Sequence, residues 1–129
     1  MNVVNCLWVF MGGGLGAVSR YLLGIQAVRW WGMGFPYGTL LINVLGSFVI
    51  GILAGYFTYY YAAQSQALRL LLIVGFLGGF TTFSSFSLET LALYQKGESL
   101  LALGYVLGSV LVSLSVVALG YELMRLKAQ

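Results

Sequence analysis

GFLGGFTTFSSF, residues 75–86, is the stretch that decides the fold. It interrupts, with glycines and hydroxyl residues, a segment at about 68–94 that is otherwise apolar. That segment is long enough to cross a hydrocarbon core, which takes roughly 20 helical residues. Gly78 and Gly79 are poor helix formers, and Thr81, Thr82, Ser84 and Ser85 can bond backbone groups in non-helical conformations. The pattern predicts a helix broken near 78–82. Unwound backbone at membrane depth survives only where protein or enclosed water meets its N–H and C=O groups, so the break must face an interior. A half-helix starting near Thr82 would turn the positive end of its dipole to the bilayer centre. Carbonyls released between Gly78 and Thr81 could hold a cation.

The rest of the chain places this break in an all-α membrane protein. Of 129 residues 60% are hydrophobic and 7% charged, and the mean hydropathy is +0.96; a soluble domain carries roughly 25% charged residues. The N-terminal stretch lacks the basic start of a secretory signal, and its apolar run to about residue 24 predicts a retained helix. Cys6 is the only cysteine, and histidine and aspartate are absent. An intrachain disulfide, a zinc site and a Ser-His-Asp triad therefore cannot be assembled, and no enzyme is expected. A net charge of +3 dispersed over loops is too weak for a nucleic-acid surface, so no nucleic-acid partner is expected.

The expected organisation is a single four-helix transmembrane domain over residues 1–129, with spans at about 3–24, 37–61, 68–94 and 100–126. Residues 29–36, with Trp30 and Trp31, read as an interfacial turn, and the tyrosines near residue 60 read as the opposite aromatic belt. Four spans put Arg69, Arg125 and Lys127 on one side and Arg20, Arg29 and Lys96 on the other. This balance gives the positive-inside rule nothing to choose, and insertion in both orientations follows as an expectation. A chain with so few helices needs a partner to enclose a pore, which predicts a homodimer of opposed orientations.

Glycines four apart recur in each span, at Gly12 and Gly16, Gly51 and Gly55, Gly75 and Gly79, and Gly104 and Gly108, and predict close helix packing. The GGGLG run lacks a preceding strand and is packing rather than a nucleotide loop. Two polar stripes at helical spacing, Thr39, Asn43 and Ser47 on the second span and Tyr105, Ser109 and Ser113 on the fourth, could be interhelical glue or could replace the water of a permeant ion. Phe83 and Phe86 follow the break three residues apart; packing or lipid contact is the ordinary role, but phenyl edges turned into a pore can receive an anion. Glu89 and Arg20 are the ionisable residues closest to membrane depth. Arg20 can snorkel to the interface, whereas Glu89 has no such short route.

GAVSRY at 16–21, YGTLLINVLGSF at 37–48 and GFLGGFTTFSSFSLET at 75–90 resemble the Fluc (CrcB) fluoride channels, in order and across nearly the whole chain. The resemblance implies an antiparallel dual-topology homodimer with two pores, passive fluoride export across the bacterial cytoplasmic (inner) membrane, and a structural sodium ion (Na+) at the dimer centre. It makes Phe83, Phe86 and Asn43 pore residues, and it gives Tyr105, Ser109 and Ser113 as a polar track. Arg20 becomes a basic vestibule residue, Glu89 a carboxylate beside the pore, and Gly78 and Thr81 the sodium-binding carbonyls. Thr39, Ser84 and Ser85 complete the pore candidates. The competing class is a small dual-topology multidrug or cation exporter, which needs a carboxylate in its first span; this span has none.

Overall fold

Asn2 starts the first helix by accepting a hydrogen bond from the Val4 N–H at 3.1 Å, which satisfies one of the orphan donors of the first turn. The computed structural model describes residues 2–60 and 66–129. From this cap α1 runs Val3–Trp31, longer than the expected 3–24. Nothing in Ile25 to Trp31 breaks a helix, and the chain turns only where Gly32, at φ 77°, takes up a backbone that side chains disfavour. The interfacial turn is therefore shorter than expected, with Arg29, Trp30 and Trp31 still helical.

Helix α2 (Tyr37–Tyr59) follows Pro36. The expected end of this span at Tyr61, and most of the turn to 67, lie outside the described residues. Beyond them Arg69 ties the two ends together: its guanidinium donates to the Phe57 carbonyl at 3.3 Å and lies 5.2 Å from the Phe57 ring centre.

The third span is composite. It begins as α3 (Gln66–Arg69), continues as a π-helical segment over Leu70–Leu77, and closes as α4 (Gly78–Phe80). Only Thr81 and Thr82 are extended, at φ −75°, ψ 156° and φ −150°, ψ 116°. Helix α5 (Phe83–Gln95) then resumes the path. The break is thus two residues long. Gly78 and Gly79 are helical, contrary to the expectation that they unwind; α1 packs against Gly79 and leaves no room there for anything bulkier, whereas nothing of α1 crowds Gly78. A Cβ on Gly79 would collide with the Gly13 carbonyl, and one on Gly16 with the Phe76 carbonyl.

Gly97, at φ 81°, turns the chain into α6 (Ser99–Lys127), which packs along α2. Here the glycine pattern holds for Gly51 and Gly55 but not for the expected pair on the fourth span. Gly120 is the residue that receives α2, since a Cβ there would meet the Phe48 carbonyl. A Cβ on Gly104 or Gly108 would meet no other described part of the chain within 4 Å. Among the described residues there is no strand, and four helical spans are long and apolar enough to cross a membrane.

Candidate functional site

The extended residues of the break are held by a side chain from α2. Asn43 accepts the Thr82 N–H at 2.8 Å through Oδ1 and donates to the Thr82 carbonyl at 3.0 Å through Nδ2. One amide thereby satisfies both backbone polar groups of a residue that lies outside either helix, as burial requires. Thr82 in turn caps α5: its hydroxyl accepts the Ser85 N–H at 3.2 Å and lies 3.1 Å from the Ser85 hydroxyl and 3.3 Å from that of Ser84. Thr81 bonds back to Leu77, through both its N–H and its hydroxyl. In a continued helix the Gly78 carbonyl would receive the N–H of Thr81 or Thr82; these go instead to Leu77 and Asn43.

One helical turn toward the α5 C-terminus, Glu89 joins three elements. Its carboxylate accepts the Thr39 hydroxyl of α2 at 2.8 Å on Oε1 and the Tyr105 hydroxyl of α6 at 2.8 Å on Oε2. Charge-assisted bonds of this kind are the stronger class of hydrogen bond. Tyr105 is buried, and its ring lies between Phe86, with centroids 5.1 Å apart, and the edge of Phe35 at 5.3 Å.

Two cavities meet at the break, and Thr82 lines both. The wider one, about 720 Å³, is bounded by Arg20, Arg29, Thr39, Ser85, Glu89 and Lys96 among others. The second, a groove of about 440 Å³, is lined by Asn43, Ser47, Gly78, Thr81, Phe83, Phe86, Ser109 and Ser113 together with aliphatic residues, and no charged residue enters it.

Both polar stripes therefore face the break. Thr39 and Asn43 bond across to α5 and the break rather than to their own helix; Thr58 and Ser115, which do bond back to the i−4 carbonyl, stand outside the stripes. The hydroxyl of Ser109 is buried without a partner among the described residues. Phe83 and Phe86 have centroids 5.5 Å apart but unlike surroundings: Phe86 is buried, whereas Phe83 is 78% exposed. Arg20 lines the wider cavity, as does Ser85. Ser84 lines neither cavity: it sits on the outer side of the first turn of α5, within reach of the capping hydroxyl.

The residue that sequence reasoning undervalued is Thr82, which joins the Asn43 clasp, the helix cap and both cavities. A threonine three residues before a serine, at the start of an amphipathic stretch, is a capping signal that could have marked it.

The family model described as CrcB-like protein, Camphor Resistance (CrcB), matches residues 7–121. A protein of Nitrobacter winogradskyi named fluoride-specific ion channel FluC is 46% identical over 123 residues, covering 92% of this chain and 97% of its own. Proteins of the same name from Rhizobium etli, 47% identical with 95% and 98% covered, and from Rhodopseudomonas palustris, 48% identical with 92% and 95% covered, are similar throughout.

Proposed function

The chain belongs to the CrcB family and is a multi-pass membrane protein, and from that premise we propose that it is a fluoride-selective channel, not an enzyme, which lets fluoride leave the cell passively. The observation that carries this reading is the neutral groove beside the helix break. A cationic site would bind an anion too tightly to release it; conduction needs sites good enough to enter and weak enough to leave. The groove offers the hydroxyls of Ser47, Ser109 and Ser113, the remaining N–H of the Asn43 amide, and the edges of Phe83 and Phe86. Ser109, buried and unpartnered, has a donor to spend on a passing ion.

The groove is open on one side, and Phe83 projects from its rim. A second copy of the chain, inserted in the opposite orientation, closes it and generates two pores by symmetry. Gly104 and Gly108, where an added Cβ would meet open space among the described residues, allow such a copy to approach. Each copy would be one four-helix transmembrane unit in the cytoplasmic membrane of a bacterium.

The break also suits the sodium ion that the family resemblance implies. Among the described residues no group of acidic, histidine or cysteine side chains could hold a metal, while the donors that would cover the Gly78 carbonyl are engaged elsewhere. Gly78 and Thr81 would hold the ion through backbone carbonyls, hard neutral ligands suited to a monovalent cation. When bound, the ion supplies fixed positive charge at the dimer axis and no reaction step.

The test is efflux from liposomes loaded with fluoride and followed with a fluoride electrode. Fluoride should leave and chloride should not; comparable chloride flux, or no fluoride flux from folded dimer, would overturn the reading. For the dimer, a single cysteine at Lys127 in a Cys6-free background should react with an impermeant reagent from both faces of the membrane.

A further inference from the structure

The wider cavity gathers cations that nothing in the chain neutralises. Arg20 comes from the body of α1, Arg29 from its last turn and Lys96 from the end of α5, and all three line the same space of about 720 Å³. None of them forms an ion pair; the one ion pair among the described residues, Arg125 with Glu122 at 3.1 Å, is at the opposite end of the helices. Glu89 is the single carboxylate of this cavity, and each of its oxygens already accepts a hydrogen bond, from Thr39 and from Tyr105. Three unpaired cations facing one shared, water-accessible cavity repel one another, and a bound anion offsets that repulsion.

We propose that this cavity is a binding site for a phosphate-type oxyanion, either free phosphate or sulfate or the phosphate of a lipid headgroup. A small halide can engage one cation at a time and stays hydrated. A tetrahedral oxyanion presents several oxygens at once, and guanidinium groups such as those of Arg20 and Arg29 fork onto two of them. The volume accommodates such an anion together with some of its water, at roughly 30 Å³ for each water molecule. Trp30 and Trp31, both exposed, stand beside Arg29 at the end of α1, the kind of aromatic pair that sits at headgroup level, so a lipid phosphate is within reach of the same cations.

Binding can be measured without any flux, so the proposal stands or falls apart from the fluoride reading. Full-length protein in maltoside detergent, which carries no phosphate, is dialysed to equilibrium against radiolabelled inorganic phosphate, with ionic strength held by chloride. Saturable binding is expected. Removing two cations in Arg29→Gln/Lys96→Gln should weaken it about 100-fold, near tenfold for each charge-assisted contact, and Arg29→Gln alone, which covers the case in which the double variant does not fold, about tenfold. Arg125→Gln, at the far end, should bind as the unmutated protein does. Nanodiscs of phosphatidylglycerol separate the sources: phosphate binding lost on transfer from detergent identifies the headgroup as occupant, and unchanged binding identifies the free anion. No saturable binding in detergent, or equal affinity in the unmutated protein and the folded glutamine variants, overturns the proposal.

Discussion

The two cavities that meet at Thr82 differ in what lines them, and the difference separates two tasks. The wider one carries Arg20, Arg29 and Lys96 beside Glu89; the groove carries only hydroxyls, an amide and phenyl rings. Full charges attract anions from a distance but hold what they catch, whereas neutral donors act only at contact and release readily. A route that passes from the first to the second collects where water still shields the ion and strips it where no trap exists. Thr82, held by Asn43, is the wall between them.

The largest break in this comparison should come from Asn43→Asp. Aspartate keeps an oxygen for the Thr82 N–H but loses the donor to the Thr82 carbonyl, and it places a charged oxygen where two acceptors face each other 3.0 Å apart. It also brings a negative charge into the neutral groove. An unpaired buried charge costs several kcal/mol, so fluoride efflux per folded protein should fall by at least ~100-fold. Efflux within a few-fold of the unmutated rate would mean that the clasp does not control the path.

Glu89→Gln should rank second. A glutamine amide offers one oxygen to two hydroxyls, so Thr39 or Tyr105 loses its acceptor, at ~1–3 kcal/mol for a group left unsatisfied. Flux or thermal stability should drop accordingly, by about one to two decades in the equilibrium or rate concerned. Tyr105→Phe added to Glu89→Gln should cost less than the two single changes together, because both disable one network. Strict additivity would show that the carboxylate does not bridge the two helices.

Much of this arrangement was legible before any coordinates. The span count, the break, the facing stripes and the small residues of the first three spans follow from apolar length and helical spacing, since these are fixed by the bilayer and the helix. What was not legible depends on contacts between distant segments. Gly78 and Gly79 were expected to unwind on propensity, but α1 needs Gly79 as a small helical residue, Gly78 stays in the same turn, and the extended backbone is confined to Thr81 and Thr82. The fourth-span glycines were legible only in part for a related reason: spacing identifies a smooth helix face, but not which neighbour it meets, and within the chain it is Gly120, not Gly104 or Gly108, that receives α2. That Asn43 serves the break as well as the groove is a hydrogen bond across 39 residues, which no local pattern encodes.

Within the groove, Ser109→Ala isolates a donor that supports no structure. The hydroxyl is buried and unpartnered, so its loss removes no bond from the fold and relieves an unsatisfied group. Thermal stability should be unchanged or slightly higher. If the groove conducts fluoride, the ion loses one contact, and efflux should fall by about tenfold, the equivalent of one modest hydrogen bond to a charged species. A destabilised variant with full flux would invert the assignment and make Ser109 structural.

The smallest effect should belong to the charged cavity, and salt is what reveals it. Arg29 and Lys96 are exposed side chains that act on an approaching anion across water, so replacing both by glutamine should lower fluoride efflux by only about threefold near physiological ionic strength, with the pore residues untouched. The Debye length shrinks from roughly 30 Å at 0.01 M to about 3 Å at 1 M salt. The deficit of Arg29→Gln/Lys96→Gln should therefore widen in dilute electrolyte and vanish in concentrated electrolyte, measured with an inert monovalent salt at matched fluoride. If the groove conducts fluoride, its donors touch the ion after water is shed, and salt does not screen a contact of that length. The Ser109→Ala deficit should accordingly stay constant across the same titration. Parallel salt dependence in the two variants would merge the cavities into one electrostatic unit, and opposite behaviour places the step from attraction to dehydration at the peptide that Asn43 holds.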